Sequence, residues 1–353
     1  MKGLLLAGGT GSRLRPLTYT GAKQLIPVAN RPIIEYAVDA MVAAGVVDIG
    51  VIVGDTAPAI QDALGSGERF GCRLTYIPQS APLGLAHAVR VAEAFLGSDP
   101  FLMVLGDNLL RGGLSGLVDR FRSGDYAASI LLTEVADPRQ FGVAVLDGDR
   151  VIRLVEKPVE PPSAWALVGA YCFAPVIHRA IRELSPSWRG EYEITDAIQR
   201  LIDWQLPVDA ARVTGWWKDT GRPEDVVEAN RLVLEDLEDD RRGIVDADSQ
   251  LTGRIGLAAD ARVIRSVIRG PVSIAAGAVI EDSYVGPYTA IGPNVVLQRT
   301  EIENSVVLAD SRIIDVDQRI DQSLIGRGVV VTGGQHRPRG MRLVLGDQSR
   351  VEL

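Results

Sequence analysis

Fully apolar runs alternate with helically spaced ones along the first two thirds of the chain. Gly3-Leu4-Leu5-Leu6-Ala7 stays apolar at every position and then stops at glycines, which predicts a parallel strand buried on both faces over 2–7. A helix is expected over 32–44, with Pro32 in its first turn and Gly45 just past its end. Strands at 49–53, 74–77, 101–105 and 127–133 then alternate with helices at 85–95 and 116–122. That order predicts an α/β fold, a Rossmann-like and mostly parallel sheet flanked by helices on both faces. The runs 142–146 and 151–156, joined through Asp147-Gly148-Asp149, read as a hairpin, so the sheet should be mixed. A strand at 165–173, a helix capped by Thr195 or Asp196 and reaching Trp204, and a longer helix over 223–237 follow.

The charged run from Glu235 to Arg242 reads as a solvated helix end and linker, so a domain over 1–242 is expected to give way to a second over 243–353. Beyond it the texture changes. Leu251, Ile268, Val285 and Ile302 recur every 17 residues, and Ser249, Ser266, Ser283 and Thr300 keep the same interval two positions ahead of them. Within each interval apolar residues fall at steps of six, six and five, as in Leu251, Leu257, Val263 and then Ile268. Such a step, with segments like Ile291-Gly292-Pro293, predicts a three-sided parallel β-solenoid, the left-handed hexapeptide-repeat β-helix, of about four coils. The phase slips after Ile320, so the tail to Leu353 is expected to be a cap or arm.

Composition narrows the function. A chain of 353 residues fits two domains, and 46% hydrophobic against 23% charged residues supplies a full core. A net charge of -8 has the wrong sign for wrapping nucleic acid or an anionic membrane, so no nucleic-acid or membrane partner is expected. Cys72 and Cys172 form no C-x-x-C pair and read as core residues, and no signal-like or spanning apolar run occurs, which points to a cytoplasmic protein. Only four of the 37 basic residues are lysines: Lys2, Lys23, Lys157 and Lys218. Where lysine survives such a bias, a compact ammonium can be what the position needs.

Leu6-Ala7-Gly8-Gly9-Thr10-Gly11-Ser12-Arg13 is the most informative stretch. Glycines after a strand let backbone N–H groups converge on phosphate oxygens, and Arg13 can add a bidentate contact. The dinucleotide fingerprint fails because Leu14 stands where its third glycine belongs, and the P-loop fails because Gly9 stands where its lysine belongs.

This loop, with Ala22-Lys23-Gln24-Leu25-Ile26-Pro27 after it, resembles the sugar-1-phosphate nucleotidyltransferases, most closely their long-form thymidylyl branch. The resemblance runs from Lys2 to about Arg231 and recurs at Gln79 to His87, Leu105-Gly106-Asp107-Asn108, Glu156-Lys157-Pro158, Val168-Gly169-Ala170-Tyr171, Arg189 to Asp196 and Trp216 to Gly221. It implies attack of a sugar-1-phosphate oxygen on the α-phosphate of a nucleoside triphosphate, with dTTP and glucose 1-phosphate as substrates and Mg²⁺ as cofactor. In-line displacement of this kind depends on positioning and charge neutralisation. The matching residues imply a catalytic set of Arg13, Lys23, Asp107, Lys157 and Asp219, with Asp107 and Asp219 holding the metal. Gly8, Gly9, Gly11, Gln24, Gln79 and Gly84 match nucleotide-binding positions, and Asn108, Gly142, Glu156, Gly169 and Tyr171 sugar-phosphate ones. Gln24, after Lys23, is what points to the thymidylyl branch. His87 reads as structural or supporting, His178 as a helix-surface residue, and Trp216 and Trp217 as packing beneath Asp219.

A UTP-using relative is the nearest alternative. Acyl transfer by the solenoid is a more distant one, because residues 243–320 contain no histidine to act as base and His336 lies beyond the phase slip. A regulatory, non-catalytic subunit would be expected to have lost some of Arg13, Lys23, Asp107 and Asp219, and all four are present. A homo-oligomer is expected, with the solenoid serving oligomerisation or lengthening the chain's contact surface.

Overall fold

The computed structural model describes residues 1–333 and 345–352. Contacts divide the chain into two compact units, one of 1–10, 21–25 and 33–219, the other of 11–20, 26–32 and 220–353.

The first unit is built on a nine-stranded sheet in the order Arg73–Pro78, Asp48–Val53, Lys2–Leu6, Phe101–Leu105, Trp165–Phe173, Ala128–Glu134, Val208–Arg212, Arg150–Glu156, Gly142–Asp147. Strict alternation sorts each central strand between two cores. Leu4, Phe101, Met103, Tyr171 and Phe173 face one layer, while Leu5, Leu102, Val104, Ala170 and Cys172 face the other. Helices cover both. Ile33–Ala43 and Ser115–Ser123 pack on the second layer, and Ile177–Arg182 and Ile194–Asp203 on the first.

The sheet is more evenly mixed than the expected mostly parallel one. The strands from Arg73–Pro78 through Phe101–Leu105 run parallel, but Trp165–Phe173 is antiparallel to both its neighbours. Val208–Arg212, which apolar patterning misses, carries buried Asp209 into the sheet, where Arg120 Nε and Nη2 reach its carboxylate at 2.6 and 2.8 Å.

Local expectations are corrected at several points. The 85–95 helix is two helices, Leu85–Val91 and Glu93–Leu96, meeting at Ala92. The helix expected to be capped by Thr195 or Asp196 begins at Ile194 after Glu193, because Thr195 turns inward. Helix Pro223–Leu234 stops short of 237. His178 is buried, not on a helix surface; its ring stacks on Phe101 with centroids 5.8 Å apart. Cys72 is only half-buried, whereas Cys172 lies in the core.

In the second unit strands stack in parallel into three sheets of six, six and four. The partners Leu251↔Ile268, Val267↔Tyr284 and Val279↔Val296 carry the interval of 17 read from the sequence. The serine column explains itself. The N–H of Ser266 donates to Ser249 Oγ at 3.0 Å, that of Ser283 to Ser266 Oγ at 3.1 Å, and that of Thr300 to Ser283 Oγ at 3.2 Å. Each hydroxyl thus satisfies a backbone donor of the next coil where the strand ladder leaves one over.

The coils begin earlier and end later than expected. Asp240–Arg241 already pairs with the strand Ile255–Leu257, so part of the charged run is a strand and not linker. Beyond Ile320, Leu324–Ile325 and Val330–Thr332 continue two of the sheets. The slip is a change of coil length: Val296 pairs with Arg312 and Arg312 with Val330, intervals of 16 and 18 around the average of 17. His336 lies outside the described residues. Among those described, no helix is long and apolar enough to cross a membrane.

Candidate active site

Strand Lys2–Leu6 delivers the chain to Gly8 and Gly9, whose missing side chains leave room for their neighbours. A Cβ on Gly8 would stand 3.1 Å from Gln79 Oε1, and one on Gly9 would stand 2.9 Å from Lys23 Cε. Lys23, on the single turn Lys23–Leu25, forms an ion pair with Asp107, which follows strand Phe101–Leu105. Both side chains are largely buried, so the lysine fills the space above the glycines as a fixed charge. Gln24, beside it, is 1% exposed, and its Oε1 finds no donor among the described residues. A buried acceptor left over in this way is costly unless a ligand supplies the donor.

Gln79 is held from behind. Its Nε2–H donates to His87 Nδ1 at 2.9 Å, and burial, with Arg90 nearby, lowers the imidazole pKa from its ordinary value. His87 therefore supports Gln79, as its expected supporting role implies. Gly84 has φ +103 and packs so closely that a Cβ would sit 2.5 Å from the Tyr192 carbonyl oxygen, so only glycine fits.

The second carboxylate arrives on a short ribbon. Asn108–Leu110 and Trp217–Asp219 pair antiparallel, with Asp219 opposite Asn108, the neighbour of Asp107. Trp217 Nε1 donates to Asn108 Oδ1 at 2.7 Å, so the indole fixes the ribbon from the face that Asp219 shares. Among the described residues no group of three His, Cys, Asp or Glu side chains converges to hold a metal.

The sugar-phosphate candidates gather around Glu156. A Cβ on Gly142 would stand 3.2 Å from Glu156 Oε2 and 2.7 Å from Thr195 Cγ2. Lys157, with φ +40, brings its Nζ to 3.9 Å from Glu156 Oε1. Gly169 packs on Leu105 and Asn108, tying this end to the ribbon. Tyr171 is buried and stacks on Phe173, and burial with the Glu156 charge pushes its hydroxyl pKa up.

Residues that composition and motif matching left without a role complete the cluster. Arg189 Nη1 lies 3.5 Å from Glu156 Oε1 and 3.3 Å from Glu193 Oε1, and Thr195 Oγ1 donates to Glu156 Oε2 at 3.1 Å. Burial, followed by the Glu193 charge, still raises the Glu156 pKa above the usual carboxylate range. The signal was the density of charge from Arg189 to Glu193, immediately before a helix. Gly11 and Arg13 fall in the second unit. Gly11 has φ +64, and Arg13 is exposed on the turn Ser12–Leu14.

Comparison with known proteins agrees with this arrangement. The profile of the family described as Nucleotidyl transferase matches residues 2–236. A glucose-1-phosphate thymidylyltransferase of Streptomyces antibioticus is 53% identical, over 100% of this chain and 99% of its own. The low-salt glycan biosynthesis nucleotidyltransferase Agl11 of Haloferax volcanii is 52% identical over 100% of both chains. A solved glucose-1-phosphate thymidylyltransferase structure from Bacillus anthracis, in complex with a sucrose, superposes with a TM-score of 0.64 at 37% identity, covering 68% of this chain and 98% of that one. The chain belongs to the nucleotidyl transferase family, among the relatives of glucose-1-phosphate thymidylyltransferase.

Proposed function

We propose that this chain transfers a thymidylyl group from dTTP to glucose 1-phosphate, giving dTDP-glucose and pyrophosphate. The observation that carries the reading is the Lys23–Asp107 ion pair over Gly9, with Asp219 opposite Asn108 on the adjoining ribbon. Gly8, Gly9 and Gly11 present backbone N–H groups to the triphosphate, while Arg13 and Lys23 neutralise charge that builds on the α-phosphorus during in-line attack. Gln24 and Gln79 read the thymine edge together with the backbone at Gly84. Lys157 holds the sugar phosphate, and Asn108, Gly142, Glu156, Gly169 and Tyr171 shape the sugar pocket.

Two carboxylates are what Mg²⁺ asks of a protein when phosphates and water complete its octahedron, so Asp107 and Asp219 fit that ion as ligands. When bound, Mg²⁺ supplies Lewis-acid stabilisation of the phosphate oxygens. Lys23, already paired with Asp107, keeps that carboxylate oriented before substrate arrives.

Residues 1–242 serve as the catalytic domain. Residues 243–353 serve as a left-handed β-helix with a C-terminal cap or arm, through which the cytoplasmic protein forms a homo-oligomer. A nucleotide-by-sugar panel with Mg²⁺ tests the reading by pyrophosphate release. Turnover should be highest with dTTP and glucose 1-phosphate; a clear preference for UTP would move the enzyme to the uridylyl branch, and no turnover with any pair would overturn it.

A further inference from the structure

One face of the solenoid is built to hold something. Strand alternation points Gly256, Ser273, Ala290 and Val306 out of the same sheet in register, and outward positions of a solenoid ordinarily meet water. Here they are small, and Ala290 and Val306 are buried, at 0% and 1% exposure. Two elements of the same unit lie on this face: helix Pro223–Leu234 and the hairpin formed by Pro27–Val28 and Arg31–Pro32.

The hairpin is seated by two asparagines. Asn30 Nδ2 donates to Ser273 Oγ at 2.9 Å, to the Ser273 carbonyl at 3.1 Å and to the Ile291 carbonyl at 3.0 Å. Asn230, fully buried on the helix, accepts the Ala29 N–H on Oδ1 at 2.9 Å and donates from Nδ2 to the Tyr288 carbonyl at 2.9 Å. The turn these bonds grip has Ala29 at φ +48 and Asn30 at φ +64, two consecutive left-handed residues. Alanine has no preference for that region, so the conformation persists because its surroundings impose it.

What the hairpin continues from gives it consequence. Residues 23–25 form the turn that carries Lys23 and Gln24, and Ile26 follows without a spacer. We infer that Asn30 and Asn230 are positioning residues for nucleotidyl transfer: by fixing the 26–32 hairpin on the solenoid, they fix the C-terminal end of the turn that carries Lys23 and Gln24. The solenoid then serves the reaction directly. This inference rests on the proposed reaction.

Asn30→Gly is the informative variant, since glycine keeps the left-handed turn while removing all three side-chain bonds. A displaced Lys23 should lower kcat by on the order of tenfold or more and raise KM for dTTP, because small misplacements of a charge-neutralising group are expensive. KM for glucose 1-phosphate, whose proposed pocket is built from 142–195, should stay within about twofold of wild type. Asn230→Ala should act in the same direction, and the double variant should be less than multiplicative because both hold one hairpin. Arg265→Ala, which removes bonds to Asp282 on a corner of the coils, controls for stability alone and should lower Tm without touching kcat. Hydrogen exchange provides a readout independent of turnover: Asn30→Gly should quicken exchange in peptides covering 21–25 and leave 142–195 unchanged. Unchanged exchange in 21–25, or a fall in Tm with kcat and both KM values as in wild type, would overturn the inference. Absence of dTTP turnover in the unmodified protein would instead sink the proposed reaction, leaving the exchange result to be judged by itself.

Discussion

Asp219 stands opposite Asn108 across a two-stranded ribbon, which brings it within one residue of Asp107 although 112 positions separate the two aspartates in sequence (219 − 107). Strand pairing, rather than a local motif, thus sets the distance between the two carboxylates proposed to hold the metal. Asp107→Asn and Asp219→Asn should each reduce Mg²⁺-dependent turnover by on the order of 10²-fold or more, as loss of a charge stabiliser at a phosphoryl centre does. Circular dichroism should match wild type. Full activity in both variants would show that the ribbon carries no metal.

Gln24 buries an acceptor that no donor among the described residues satisfies, so a donor from the nucleotide base is the partner proposed for it. Gln24→Glu keeps the shape, replaces the amide NH₂ by oxygen and adds a buried charge. The kcat/KM ratio of dTTP to UTP should fall. If the ratio is unchanged while both rates drop together, Gln24 contributes structure and not selectivity.

Glu156 illustrates a cost accepted for function. Its folded pKa lies above the ordinary carboxylate value because burial disfavours the charge and Glu193 repels it, with Lys157, Thr195 and Arg189 compensating only in part. A carboxyl with a raised folded pKa binds its proton more tightly when folded, so stability falls as pH rises from the unfolded value through the folded one. Glu156→Gln removes that loss. The difference in Tm, variant minus wild type, should be more positive at pH 7 than at pH 4, while turnover with glucose 1-phosphate declines.

The serine column of the solenoid makes a separate prediction about stability. Ser283 Oγ accepts the buried N–H of Thr300 and donates to the Glu281 carbonyl at 2.7 Å. Ser283→Ala leaves that N–H unpaired and should cost about 1–3 kcal/mol in urea unfolding of the coils. Ser249→Ala, at the open end, should cost less because water can replace the hydroxyl there.

Much of this architecture could be read from periodicity. The strands at 101–105 and 165–173 have the bounds expected for them, since fully apolar runs with sharp ends admit one reading. The interval of 17 was legible because each coil repeats the same burial and the same hydroxyl bond. Val208–Arg212 was not, because a buried Asp209 satisfied by Arg120 looks polar until its partner is known. The same limit applied to Arg189 and Thr195, whose importance lies in contacts with Glu156 made from 33 and 39 positions away (189 − 156 and 195 − 156). Asn30 and Asn230 were illegible for a related reason: side-chain bonds to a distant backbone leave no mark in the pattern of apolar positions.

The sharpest trial of the account is a crystal of this protein soaked with dTTP and Mg²⁺. Phosphates lying over Gly8 and Gly9, with the metal shared by Asp107 and Asp219 and the base against Gln24 and Gln79, is the expected result. A nucleotide bound elsewhere, or a metal touching neither aspartate, would contradict it.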